Sequence, residues 1–261
     1  MVLTATKGAL GFLTRLPTGR SEAAWTAFRE TPAAFPLAGW VVGALAAIPL
    51  LAATTAALGP VPEPTAAFGY LLALYAVTGI NHTDGVADLG DAAVVHGDLP
   101  DRKAVLKDTE VGVGAVLALG LVLVGLGLAA LSLAGLPANA PPAGLLGVPA
   151  AVAIVVAAEV GAKLGMAELA CLGDPAFEGL GSAFTDNEPT ALVGPAAVAA
   201  PVVLLGAPGV AALLGAVAAS LVLLRWARTN LGGINGDVFG AANELARLVG
   251  LHLGVIAWTL S

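Results

Sequence analysis

Three aspartates are spaced so that their side chains fall on one side of a helix. Residues 81–91 read NHTDGVADLGD, and positions i, i+3, i+7 and i+10 are occupied by Asn81, Asp84, Asp88 and Asp91. On one helix face these carboxylates repel one another unless cations neutralise them. Oxygen ligands without a nearby cysteine favour Mg²⁺ or Mn²⁺ over zinc, and such ions take substrate phosphates as further ligands. The pattern therefore predicts a magnesium site for a phosphate-bearing substrate.

The alternative interpretation of these aspartates is a solvated, acidic helix end. The composition argues against it, because six of the nine aspartates lie between positions 84 and 108 while only 11% of the chain is charged. We therefore favour the metal site.

A second polar cluster, GGINGDVFGAANELAR, covers residues 232–247. Asp237 and Glu244 stand at i and i+7, on one helix face, and ionisable groups in membrane segments usually face a site or a polar interior. The alternative for Glu244 is an ion pair with Arg247 at i and i+3, and for these two residues both interpretations are equally favoured. The glycines before Asp237 permit close approach of a phosphate to the backbone. From the positions of the basic loops we expect Asp237 to lie at cytoplasmic depth, level with Asp84 to Asp91.

The segment between the two clusters, 101–114, is rich in basic residues. Arg102, Lys103 and Lys107 have the charge to hold phosphate oxygens, and Asp108 is a candidate metal ligand or general base. The competing explanation of these bases is the ordinary enrichment of Lys and Arg in cytoplasmic loops. His82 is too isolated for a metal ligand and is expected to have a polar role at the membrane interface.

The composition indicates an all-α, polytopic membrane protein with one domain, 1–261. Of the 261 residues 58% are hydrophobic, and the mean hydropathy is +0.91, whereas soluble proteins carry roughly a quarter charged residues. The net charge of −7 disfavours nucleic acid as a partner.

Segments of spanning length predict seven transmembrane helices. They lie at about 34–58, 66–83, 111–135, 143–165, 190–206, 208–230 and 237–260.

Basic residues predict how these spans are oriented. Lys and Arg occur in every second loop, including Lys163 at the end of the fourth span. The alternate loops, near 59–65, 136–142 and 207, contain no Lys or Arg. Since cytoplasmic loops retain Lys and Arg, we expect a cytoplasmic N-terminus and a site on the cytoplasmic side of the cell membrane. We also expect the second span to continue as a helix through the aspartates, and the two prolines in the fifth span to kink or break it.

Three of these segments resemble one enzyme family. Residues 82–91 resemble the HxDGxADxxD signature of the cobalamin synthases, the adenosylcobinamide-GDP ribazoletransferases; 107–112 is similar to the family's KDSxxG element and 233–245 to its GGxxGDxxGAxxEL segment. Weaker similarities lie at 12–17, 35–39 and 178–181. They follow the family's order along nearly the whole chain.

The resemblance implies the last assembly step of the cobalamin nucleotide loop. A hydroxyl of α-ribazole, or of its 5′-phosphate, attacks the phosphate beside the aminopropanol of adenosylcobinamide-GDP, and GMP leaves with help from Mg²⁺. By this resemblance the metal ligands are Asp84, Asp88, Asp91 and Asp237. The catalytic residues are Asp108 and Lys107, and the substrate contacts are His82, Asn81, Arg102, Asn235 and Glu244.

The chain departs from the family pattern at three positions, Ala92, Thr109 and Glu110, where the family usually has Gly, Ser and Arg. The threonine keeps the hydroxyl, whereas Glu110 removes a possible phosphate contact. The sequence is therefore identified as a divergent member of the family.

Two other functions compete with this identification. CDP-alcohol phosphotransferases also bind metal with membrane aspartates, but their DGxxAR motif has arginine where Asp88 follows Ala87. An ion-coupled transporter is the second, although transporters place cation sites near the bilayer midplane within repeated halves. The sequence leaves a homo-oligomer open, as it does the choice between α-ribazole and its phosphate.

Overall fold

Helices form the regular structure of the residues that the computed structural model describes, which are 1–19, 21–54, 59–106, 110–137 and 143–261. The first half contains α1 (Val2–Leu13), α2 (Glu22–Arg29), α3 (Ala34–Ala46), α4 (Ile48–Ala53), α5 (Glu63–Thr78), α6 (Asn81–Val94) and α7 (Leu99–Val105). The second half contains α8 (Val113–Ala134), α9 (Ala150–Leu172), α10 (Val193–Ala199), α11 (Gly206–Asn230) and α12 (Gly236–Thr259). Short 3₁₀ turns, Pro189–Leu192 and Ala200–Leu205, flank α10.

Several of these helical segments are long and apolar enough to cross a membrane. Among the described residues there are four: Ala34–Ala53, Val113–Ala134, Ala150–Leu172 and Pro189–Asn230. The last is interrupted at Gly206, whose φ is +82°, and its first half mixes α and 3₁₀ turns as the prolines predicted. The membrane helical bundle is thus confirmed, while the count of seven spans and the side of the N-terminus stay predictions.

The second predicted span does not run on through the aspartates. Helix α5 ends at Thr78, and α6 starts anew at Asn81. Between them Gly79 has a φ of +73°, a conformation that glycine adopts without the steric cost that a Cβ brings. The expectation of one continuous helix was therefore wrong, and α6 is free to run in a direction of its own.

Glycines let three helices of the bundle approach closely. A Cβ on Gly39 or Gly43 of α3 would lie 2.8 Å from the backbone of α9. On the other side of α9, a Cβ on Gly161 would lie 2.7 Å from a side chain of α11, and one on Gly165 would overlap Ser220. Two pairs of glycines spaced four residues apart, Gly39 with Gly43 and Gly161 with Gly165, thus form interfaces of α9, the contact type that replaces hydrophobic association in lipid.

Helix α9 carries two opposite charges in the middle of the bundle. Lys163 donates a hydrogen bond of 2.7 Å to Glu159, and both side chains are fully buried. Lys163 therefore does not end a span at the membrane surface, as its charge had suggested, but lies inside α9. Residues four apart on a helix share a face, which makes this pairing possible.

Helix α12 contributes two further buried charges, Arg247 and Glu244, beside this pair. Arg247 donates from Nε and, over 3.2 Å, from Nη2 to the two oxygens of Glu159. Its Nη1 lies 2.6 Å from Glu244 Oε1, an ion-pair distance although it is out of line for a hydrogen bond. The i, i+3 pairing of Glu244 and Arg247 is thus confirmed. We call Glu159, Lys163, Glu244 and Arg247 the charge network; its formal charges cancel.

Removing one charge from this network should destabilise the bundle strongly. Arg247→Met leaves two buried glutamates opposite a single lysine, and breaking a buried pair costs about 3–5 kcal/mol. We expect a large fall in the thermal unfolding midpoint in lipid nanodiscs. Arg225→Met, at an exposed position on α11, is the control and should change little. A Glu244→Gln/Arg247→Met double variant, which restores neutrality, should recover part of the loss; no recovery would mean that the charge balance is unimportant.

Candidate functional site

Helices α6 and α12 cross at very short distance. A Cβ on Gly85 of α6 would overlap the carbonyl oxygen of Asp237, and one on Gly240 of α12 would lie 3.0 Å from the carbonyl oxygen of His82. The crossing places Asp237 beside the aspartates of α6, which confirms that the two acidic segments lie at the same level. We call Asp84, Asp88, Asp91 and Asp237 the acidic cluster.

The electrostatics of Asp88 show that these carboxylates act on one another. Its partial burial, and then the charges of Asp237, Asp84 and Asp91, raise the pKa of Asp88 to about 6. Asp84 is exposed and Asp88 is partly buried. A cation entering the cluster would relieve this repulsion, because an opposite charge within a few ångströms favours the ionised carboxylate.

Asp91 has a structural task of its own. Its Oδ2 accepts a 2.8 Å hydrogen bond from the backbone N–H of Gly112, and its Oδ1 accepts a 2.9 Å bond from that of Ala115. Gly112 is the N-cap of α8 and Ala115 lies in its first turn, where helix donors have no partner within the helix and the dipole favours an anion. Asp91 therefore caps α8 from α6 and holds the two helices together.

Asn235 orients Asp237 at the start of α12. Its Oδ1 accepts from the backbone N–H of Val238 at 3.0 Å, as a helix N-cap does, while its Nδ2 donates to Asp237 Oδ2 at 2.7 Å. Asn235 is only 3% exposed. Asn235, which we predicted as a substrate contact, thus has two partners within the protein. Its hydrogen bond to Asp237 fixes one carboxylate oxygen and leaves the other for a ligand.

The chemistry of the acidic cluster suits Mg²⁺, although the ligand set is not complete in the described residues. They contain no group of three or more His, Cys, Asp or Glu side chains placed to hold one metal ion. Mg²⁺ needs fewer, since it is commonly held by one or two carboxylates together with waters and substrate phosphates. The catalytic candidates Lys107 and Asp108 lie outside the described residues.

Helix α7 lies over the same end of the bundle. Arg102 donates to the side-chain oxygen of Asn230 at the end of α11, and Lys103 donates a 3.0 Å hydrogen bond to the carbonyl of Ala176. An exposed glycine, Gly232, lies under α7, with the Lys103 ammonium 3.6 Å from where its Cβ would be. These contacts put the two bases at the rim of the glycine-rich turn before Asp237.

His82 connects the acidic cluster to the charge network. It is buried, and its Nδ1 lies 3.1 Å from Nδ2 of Asn243, which also donates to Glu244 Oε1 at 3.1 Å. Glu244 itself is 1% exposed. The structure therefore gives His82 and Glu244 partners in the protein core, whereas Asn81, the first residue of α6, is exposed.

A cleft opens beside Asn81. Its lining residues were the part of the site that was hardest to predict from the sequence. An outer cavity of about 680 Å³ and an inner one of about 170 Å³ share the lining residues Phe12, Asn81 and Leu180. The weak family similarities at 12–17, 35–39 and 178–181 all contribute to this lining. Each of these similarities is weak by itself. What sequence reasoning missed is that all three contribute to one cleft.

Sequence reasoning also missed the role of Glu159 and Lys163. The signal was present, since two opposite charges four residues apart inside an apolar span are costly unless they are paired in the protein interior. Counting Lys163 only as a topological marker hid this pair.

Comparison with known proteins gives one consistent result. A family model described as cobalamin-5-phosphate synthase matches residues 5–255. A protein of Halorubrum lacusprofundi named adenosylcobinamide-GDP ribazoletransferase is 53% identical over 99% of both chains. Proteins with the same name are 42% identical in Haloquadratum walsbyi, over the full length of both chains, and 33% identical in Methanosarcina barkeri, over 99% of this chain and 94% of the relative. No solved structure matches this chain significantly.

The cap formed by Asp91 can be separated from metal binding. Asp91→Ala removes the acceptors of two α8 N–H groups and should destabilise the protein by about 1 kcal/mol in a metal-free, chelator-treated sample. Asp84→Ala, at an exposed member of the same cluster, removes a repelling charge and should not lower the thermal midpoint in that sample. If the two variants unfold alike, the capping role is wrong.

The crossing of α6 and α12 should not tolerate a side chain at Gly85. Gly85→Ala puts a methyl group against the backbone of Asp237, and relieving such an overlap costs typically 1–3 kcal/mol. We expect a lower unfolding midpoint. Gly120→Ala on α8 is the control, because a Cβ there meets nothing within 4 Å and alanine is the better helix former. A stable Gly85→Ala variant would show that the helices have room to separate.

Proposed function

The chain belongs to the cobalamin-5-phosphate synthase family, and from this membership we propose that it is an adenosylcobinamide-GDP ribazoletransferase. The observation that carries the proposal is the close crossing of α6 and α12. That crossing joins the two strongest family motifs, at Gly85 and Asp237, into one acidic cluster. It is the kind of site that a diphosphate substrate requires.

The reaction transfers a phosphoryl group between two oxygens. A hydroxyl oxygen of α-ribazole, or of its 5′-phosphate, forms a bond to the phosphorus next to the cobinamide aminopropanol. The bond from that phosphorus to the bridging oxygen breaks, and GMP leaves with the electron pair. The hydroxyl proton goes to a base of the protein. The product is adenosylcobalamin or its 5′-phosphate.

The acidic cluster is assigned to the diphosphate through Mg²⁺. Bound there, Mg²⁺ would neutralise the diphosphate and stabilise the leaving phosphate. One or two carboxylates from the set Asp84, Asp88 and Asp237 would hold it together with waters and phosphate oxygens, with Asn235 keeping Asp237 in place. Asp91 supports them, since its carboxylate fixes α6 against α8.

The bases near α7 are assigned to the phosphate oxygens. Arg102 presents a guanidinium group that matches two phosphate oxygens at once, and the family motif adds Lys107 a little further on. We assign Asp108 as the base that takes the hydroxyl proton, because a carboxylate within hydrogen-bond reach of the nucleophile serves this step. We place the reaction at the cytoplasmic face of the cell membrane, the side that the basic loops indicate.

The decisive experiment follows GMP release from adenosylcobinamide-GDP. Protein in nanodiscs should release GMP only when α-ribazole or its phosphate and Mg²⁺ are both present, and a chelator should stop it. Asp88→Asn removes a carboxylate that would hold Mg²⁺ and should lower the rate roughly a hundredfold or more, the usual size of the effect when one preorganised electrostatic group of a site is lost.

Asp186→Asn, at an exposed position outside the cluster, serves as the matched control and should retain the full rate. A folded protein that releases no GMP would contradict the proposal. That result would instead favour the CDP-alcohol phosphotransferase or the transporter interpretation, neither of which requires GMP as a product.

A further inference from the structure

Aromatic side chains are concentrated at one place in the bundle. Phe184 is the centre, with ring centroids of five other aromatic residues 5.0–5.8 Å away. These neighbours are Phe12, Trp25, Phe28, Phe35 and Phe239. Only 5% of the chain is aromatic, so six rings in one cluster are a large share of the total.

Some of these rings are open to the cleft beside Asn81. Phe184 is 2% exposed, whereas Phe12 is 38% exposed and Trp25 is partly buried. Phe12 and Trp25 line the outer cavity of about 680 Å³, and their centroids are 5.0 Å apart. Phe12 also lines the inner cavity of about 170 Å³. We call the two cavities together the aromatic cleft; its size is that of a small-molecule site.

The aromatic cleft reaches residues that are close in sequence to the acidic cluster. Asn81 lines both cavities and stands three residues before Asp84, about one helical turn away on the same face. Gly236 lines the inner cavity and directly precedes Asp237. A molecule with a flat ring in the cleft would therefore extend its other end toward the carboxylates.

We propose that the aromatic cleft binds the base of α-ribazole, which places the ribose hydroxyl toward the acidic cluster. The inference rests on the proposed function and names the binding site of one of its two substrates. A planar base gains from offset-stacked or edge-to-face contacts with Phe12 and Trp25. Of the six residues of the aromatic cluster, Phe239 alone lies within one of the acidic motifs, 233–245.

The other aromatic base in the reaction, guanine, suits this lining less well. Guanine carries an amino group, a ring N–H and a carbonyl, and burying such groups without partners costs free energy. The base of α-ribazole, a benzimidazole, has no exocyclic polar group. The polar side chains that line the inner cavity are Asn81 and His82, and His82 Nδ1 is already occupied by Asn243. Ser21 and Glu22 line the outer cavity alone. The lining of the inner cavity thus favours the less polar base.

The test compares KM values for the two substrates in the GMP-release assay. Phe12→Ala should raise the KM for α-ribazole roughly tenfold, by loss of ring contacts and buried area, and leave the KM for adenosylcobinamide-GDP unchanged. Phe12→Tyr keeps the ring and should restore the wild-type KM. Phe68→Ala, an exposed phenylalanine on α5, is the control and should change neither value. Leu180→Trp, which fills the cleft from its exposed rim, should act like Phe12→Ala.

The outcomes separate this inference from the proposed function. A rise in the KM for adenosylcobinamide-GDP alone would assign the cleft to guanine or the corrinoid and overturn the inference, as would unchanged KM values in both Phe12→Ala and Leu180→Trp. In either case GMP release by the wild-type protein would leave the proposed function intact. If the wild-type protein releases no GMP, the proposed function fails first, and the inference fails with it.

Discussion

The charge network is the constraint on which the rest of the structure depends. Glu159 on α9 is held by Lys163 from its own helix and by Arg247 from α12, and all three side chains are fully buried. In a medium of low dielectric constant no member can leave without stranding its partners, so the pairing fixes the distance and register of α9 and α12. Through Asn243 and His82 the same constraint reaches α6.

This rigidity is what allows four carboxylates to lie together. Like charges on α6 and α12 repel, and the repulsion appears as the raised pKa of Asp88. Without an independent attachment the helices would move apart until the repulsion vanished. The charge network and the cap of α8 by Asp91 supply that attachment, while Gly85 lets the backbones touch. The acidic cluster is therefore preorganised before any cation arrives, which is a general requirement for electrostatic catalysis.

Local patterns in the sequence predicted the face of aspartates on α6 and the level of Asp237, because both follow from helical periodicity and from membrane depth. The break at Gly79 was not predictable in the same way, since a single glycine is tolerated inside many helices and only its φ ends α5. The partners of Asp91 are more than twenty residues away at the start of α8, a tertiary contact that no spacing rule contains. Lys163 was misinterpreted because a charge in a sequence does not reveal whether it is buried.

The charge network and the acidic cluster consequently have two different roles, and burial divides them. Paired and buried charges, such as Glu159 with Arg247, cancel and lock helices together. Exposed carboxylates such as Asp84 keep their capacity to bind cations. Asparagines mediate between the two sets: Asn243 joins the network to α6, and Asn235 orients Asp237. Because amides are neutral, they transmit position without adding charge, so the site can be held firmly by the network while its negative potential remains available to substrate.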